Sequence, residues 1–140
     1  GRRTKYRRPL QLSITATPGP SPATTTSETR LKESSFNADA LLFVGSPGVD
    51  VNHASELNGV RPGQVWATTA EHDIIRRVPD WEFVHGNDPS GSDFGARVFA
   101  SDPGNPDDEA GTHSAYWDQD NIARANIARI ATDSPVRRPE

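Results

Sequence analysis

The chain contains no cysteine, so disulfides, thiolate metal sites and cysteine nucleophiles are excluded. It is also short of core material. Hydrophobic residues make up 33% of the sequence, against a globular share of roughly 45–50% that includes glycine. No apolar run approaches the roughly 20 residues a membrane helix needs. The basic opening is not followed by an apolar stretch, which excludes a secretory signal of the usual form. Positive charge is not in excess: the formal net charge is -4, so there is no global case for nucleic-acid binding. There is no internal repeat. Together these absences fit a cytoplasmic protein without membrane or nucleic-acid partners.

What is present is uneven. The 140 residues allow one domain at most. Twelve prolines and eleven glycines commit much of the chain to turns and loops. Charge separates along the sequence, with a basic opening, GRRTKYRR, and an acidic stretch from Asp102 to Asp120. Residues 1–35 read as a basic arm followed by an irregular Pro/Thr/Ser-rich segment, residues 36–133 as the folded part, and residues 134–140 as a loose tail.

Leu10 to Thr15, LQLSIT, alternates apolar and polar residues and reads as a short strand. Three prolines within five residues then end regular structure, because proline lacks a backbone donor and fixes φ. Residues 24–37 have weak helical character. The clearest signal is ADALLFVGSPG, residues 38–48. Its unbroken apolar run closed by Gly-Ser-Pro-Gly fits a strand buried on both faces of a parallel sheet. Weak helical spacing follows through Val51, Ala54 and Leu57. QVWATTAEHD then reads as a second buried strand that ends at Glu71 and Asp73. After an irregular stretch, ARVFAS (residues 96–101) reads as another strand, and an acidic loop leads into a loop carrying His113. The final segment, Asp118 to Thr132, reads as a helix with Ile122, Ile127 and Ile130 on its apolar face. Strands alternating with helices imply an α/β fold with a parallel sheet. In such sheets chemistry gathers at the carboxyl ends of the strands. Asp73 and His113 both follow such ends.

Several separated stretches carry a resemblance: LLFVGSPGVDVNHASEL, GQVWATTAEHD, HGNDPSGSDFGARVFASD and GTHSAYWD. Together they resemble the C-terminal part of an actinobacterial family of α/β-hydrolases of unknown substrate, over about residues 38–133. The resemblance implies a partial α/β-hydrolase sheet made of the last strands and helices. It also implies Asp73 as the catalytic acid and His113 as the base, in the order nucleophile, acid, histidine. A histidine base needs such a carboxylate to fix its tautomer and stabilise the imidazolium. The complete family enzyme would need no cofactor or metal and would act on a small ester or related acyl substrate.

The sequence departs from that pattern at the nucleophile. The family's Gly-His-Ser turn should follow LQLSIT, but the chain reads Ala16, Thr17, Pro18, and no G-x-S-x-G occurs anywhere. Neither the earlier strands of the fold nor one of the oxyanion-hole donors is recognisable. Codons for Ala-Thr-Pro-Gly read one base out of register can give Gly-His-Ser-Arg, so a pair of compensating frame changes around residues 16–23 would account for the departure.

Each singled-out residue also has a plainer reading. Asp73 could cap a following turn. Glu71 is the alternative acid, since the two-residue period of a strand puts it on the same face. His113 could be a loop histidine beside Tyr116 and Trp117. Ser46 ends a strand, but Pro47 follows it and the spacing of a nucleophile turn is missing. Ser21 and Ser27 have nothing to orient them. The acidic loop with Asp102, Asp107, Asp108 and Glu109 lacks cation-loop spacing. His53, His72, His85 and His113 lack a zinc pattern. The chain therefore reads as an ancestral serine hydrolase that lacks its nucleophile. The alternatives are a non-enzymatic remnant that associates through an exposed sheet edge, and a binding module using the basic arm.

Overall fold

In the computed structural model the described residues are the backbone of residues 12–16 together with residues 38–77 and 86–140. The basic opening, the segment 17–37 in which a weak helix is expected over 24–37, and Trp81, Phe83 and His85 lie outside them. Among the described residues, four strands form one sheet in sequential order: β1 (Leu12–Ala16), β2 (Ala40–Val44), β3 (Val65–Thr68) and β4 (Arg97–Val98). All three pairings are parallel, as the alternation of strands with connecting segments requires. Two helices follow, α1 (Glu109–Ser114) and α2 (Ile122–Ala131). The architecture is a partial parallel sheet of the α/β-hydrolase type.

β2 explains why its sequence is apolar without interruption. All five of its residues are buried. Leu41 and Phe43 point into one core with Val49, Val51, Leu57 and Phe94. Ala40, Leu42 and Val44 point into the other with Trp66, Phe99, Tyr116, Ile127 and Ile130. A strand covered on both faces needs apolar side chains at both phases of its two-residue period. Phe43 and Phe94 meet edge to face, with centroids 6.2 Å apart.

Helix α2 buries Ala123, Asn126, Ile127 and Ile130 against the second core, which is the i, i+3, i+4, i+7 stripe of an amphipathic helix. Ile122, expected on that face, is only half-buried. Its place is taken by Ala123 and by fully buried Asn126. Asn126 tolerates burial because its amide is matched: Nδ2 donates to the carbonyls of Ala100 and Arg137, and Oδ1 accepts from the Arg137 N–H at 2.9 Å. These bonds tie down the tail, which the sequence suggests is loose. Asn121 starts α2 by accepting from Ala123 N–H.

Four expectations from the sequence give way. The segment 49–60 is not a helix. It holds one 3-10 turn, Ala54–Glu56, whose cap is the His53 side chain. β3 stops at Thr68, so Glu71 and Asp73 lie beyond the strand and the shared-face argument for them does not apply. His113 sits in helix α1, not in a loop. That helix starts where the Asp108 side chain accepts from Gly111 N–H. ARVFAS pairs as a strand only at Arg97 and Val98.

Candidate active site

The register places the strand ends together. Ala16 lies opposite Val44, and Val44 opposite Thr68, so the chain leaves β1, β2 and β3 at one edge of the sheet. Among the described residues, the side chains gathered beyond this edge are Asp73, His113 and Tyr116, close to the backbone of Gly45.

Asp73 lies five residues past β3 and is 1% exposed. Its position is fixed locally. Oδ1 accepts from Ile75 N–H at 2.9 Å, which caps the 3-10 turn Ile74–Arg77. Arg76 returns from that turn to donate to the carbonyls of Ala70 and Thr69, locking the segment between strand and turn. The same carboxylate meets His113: Nδ1 is 2.9 Å from Oδ1 and 3.0 Å from Oδ2. Capping and histidine binding, which the sequence offers as alternatives, are therefore both performed by this one side chain. Glu71 is exposed, so Asp73 and not Glu71 is the carboxylate buried against His113.

Burial by itself would raise the Asp73 pKa. Hydrogen bonds from His113, Tyr116 and the Ile75 N–H, with the charge of His113, outweigh it and hold the carboxyl below its ordinary value. An ionised carboxylate can only accept, so the proton of the pair belongs on His113 Nδ1. That assignment makes Nε2 the basic nitrogen of the neutral ring.

Gly45 permits this packing. Its φ is +58°, a region L-residues other than glycine seldom adopt. A Cβ there would lie 3.0 Å from Asp73 Oδ2, 3.1 Å from Tyr116 Cε2 and 3.2 Å from His113 Cε1. Gly45 and Tyr116 are the two site residues the sequence reasoning missed. The Gly-Ser-Pro-Gly motif could have pointed to the first. Nothing local points to the second, because its role depends on contact with Asp73, 43 residues away.

Ser46 is 2% exposed and its hydroxyl donates to the Gly48 carbonyl at 3.2 Å, which is a turn role. Thr17, Pro18, Ser21 and Ser27 lie outside the described residues. No three acidic or histidine side chains are grouped to hold a metal ion among the described residues. Nor is any helix there long and apolar enough to cross a membrane. A cleft of about 760 Å³ opens beyond β3 and β4, lined by Thr69, Arg76, Phe99, Ser101 and Arg137 among others; neither Asp73 nor His113 lines it.

Consecutive parallel strands, with a carboxylate after the third and a histidine after the fourth, form a partial sheet of the α/β-hydrolase type. Comparison with known families agrees. Residues 16–83, just under half of the chain, match a family described as alpha/beta hydrolase. The match starts on the last residue of β1, covers β2 and β3, includes Asp73 and ends before His113. The place of His113 in the site therefore stands on geometry. No curated protein and no solved structure matches the chain.

Proposed function

We propose that the chain keeps the acid and base of a serine hydrolase and lacks the nucleophile, so that it is inactive as it stands. The carrying observation is the His113–Asp73 couple: Nδ1 faces a buried, ionised carboxylate at 2.9 Å. In the complete reaction a serine at the end of β1 would attack an ester or related acyl carbonyl. His113 Nε2 would take the hydroxyl proton and return it to the leaving oxygen. Asp73 would hold the ring and stabilise its charged form. No cofactor enters this scheme. At the expected nucleophile position the chain has Pro18, which offers no attacking atom.

The test is labelling with a serine-directed fluorophosphonate, read by intact mass. The chain should remain unlabelled. A variant that restores the turn (Ala16→Gly, Thr17→His, Pro18→Ser, Pro20→Gly) should gain one adduct, and adding His113→Ala should remove it. A His113-dependent adduct on the unaltered chain would overturn the inactive reading. Failure of the restored variant to label would overturn the hydrolase reading of the couple.

A second reading is favoured by one feature of the sheet. Among the described residues β1 pairs only with β2, and an edge strand is a template for another strand. A non-enzymatic role in association through that edge follows from it. Light scattering tests this: self-association that is unaffected by His113→Ala supports it, and a strictly monomeric chain contradicts it.

A further inference from the structure

We infer that Tyr116 is a positioning residue for the couple: its hydroxyl holds Asp73 Oδ2 and so sets how strongly the carboxylate acts on His113. This rests on reading Asp73 and His113 as an acid–base couple. Three observations support it.

The first is the hydrogen-bond geometry. The Tyr116 hydroxyl donates to Asp73 Oδ2 and accepts from the Ala70 N–H at 2.8 Å. With its oxygen engaged by that donor, the hydroxyl proton is directed at the carboxylate. Asp73 is thus held by Ile75 N–H on one oxygen and by Tyr116 on the other, with His113 Nδ1 facing both.

The second is placement. Tyr116 is 1% exposed and lies on the 3-10 turn Ala115–Trp117 that continues directly from α1. The element that carries the base therefore also anchors the acid. A Cβ at Gly45 would come within 3.1 Å of the ring.

The third is the protonation state. Burial, with the hydrogen bond to Asp73, pushes the Tyr116 hydroxyl far above its ordinary value. The group therefore stays a donor across the accessible pH range.

A carboxylate that accepts a hydrogen bond becomes less basic, and less of its charge favours a neighbouring cation. Removing the hydroxyl should leave Asp73 acting more strongly on His113. Other charges near the site are Arg76, which acts on the Tyr116 hydroxyl, and Glu109, one helical turn before His113 and paired with Arg77. The substitutions below leave both in place.

The readout is the midpoint of the His113 NMR titration, assigned by its loss in His113→Gln. Tyr116→Phe should raise the midpoint by about 0.5 to 1 pH unit. The chain has two tyrosines, so a Tyr6→Phe background permits 3-fluorotyrosine at position 116 alone. That more acidic phenol is the stronger donor and should lower the midpoint. Opposite signs from the two changes are the expected result. An unmoved midpoint in both, with only thermal stability altered, would reduce Tyr116 to a packing residue and overturn the inference. If the phenylalanine variant does not fold, the sign from the fluorotyrosine protein decides. Asp73→Asn is the separate control: it should lower the midpoint, and its failure to do so would sink the acid–base reading itself.

Discussion

Replacing Asp73 removes the partner of three donors at once, and its cost can be worked from their surroundings. In Asp73→Ala the Tyr116 hydroxyl, 1% exposed, loses its acceptor, and a buried unsatisfied polar group costs about 1–3 kcal/mol. The His113 side chain is 16% exposed, so water can serve part of its need and its loss is smaller, about 1 kcal/mol. The cap on the turn Ile74–Arg77 adds about 1 kcal/mol. The expected total is about 3–5 kcal/mol, the range seen when one partner of a buried pair is removed. That is a large share of the roughly 5–15 kcal/mol that stabilises a typical domain. Asp73→Asn should cost less, because its amide oxygen still accepts from Ile75 and His113 while its NH2 faces the Tyr116 hydroxyl. Urea titration followed by tryptophan fluorescence reads both, since Trp66 lies in the core beside this site. A cost below about 1 kcal/mol for Asp73→Ala, the level of an ordinary surface change, would refute the reasoning.

Other outcomes follow from the same contacts. The lowered Asp73 pKa means the folded chain binds fewer protons than the unfolded one. The stability it contributes should be complete above the ordinary carboxylate value of about 4 and should fall as pH drops through the lower folded value. Thermal melts across that acid range should show a shallower loss in Asp73→Asn, and an unchanged slope would contradict the assignment. Gly45→Ala combines a φ of +58° with a crowded Cβ, so it should cost about 1–3 kcal/mol in urea titration; a neutral result would mean the site relaxes freely. Asn126→Ala strands the Ala100 and Arg137 groups it serves and should cost about 2–3 kcal/mol, with faster amide exchange in the tail. Arg77→Ala breaks an ion pair whose arginine side chain is 73% exposed, and melts should show almost no change.

The sequence carries β2 and β3 well because both are buried on both faces. ALLFV and VWAT are apolar at both phases, and the structure makes them neighbouring parallel strands. The helix at the C-terminal end is legible from its isoleucine spacing, though Asn126 defeats the rule that polar residues face water. It does so by meeting three backbone groups from elsewhere in the chain. The candidate site is legible only in part. Asp73 and His113 stand out in the sequence by their place after strands, and the roles proposed for them come from the family resemblance. The choice between Asp73 and Glu71 is hidden, because the strand ends at Thr68 and the turn beyond it decides which carboxylate goes inside. Tyr116 is hidden for a similar reason: its hydroxyl has meaning only once β3 and α1 bring it to Asp73.

The most direct test of the central claim is the tautomer of neutral His113, read by long-range proton–nitrogen NMR. Nδ1 should carry the proton and share it with Asp73, leaving Nε2 as the basic nitrogen. A proton on Nε2 would mean that the carboxylate does not hold the ring as a base, and the hydrolase reading of the pair would fall.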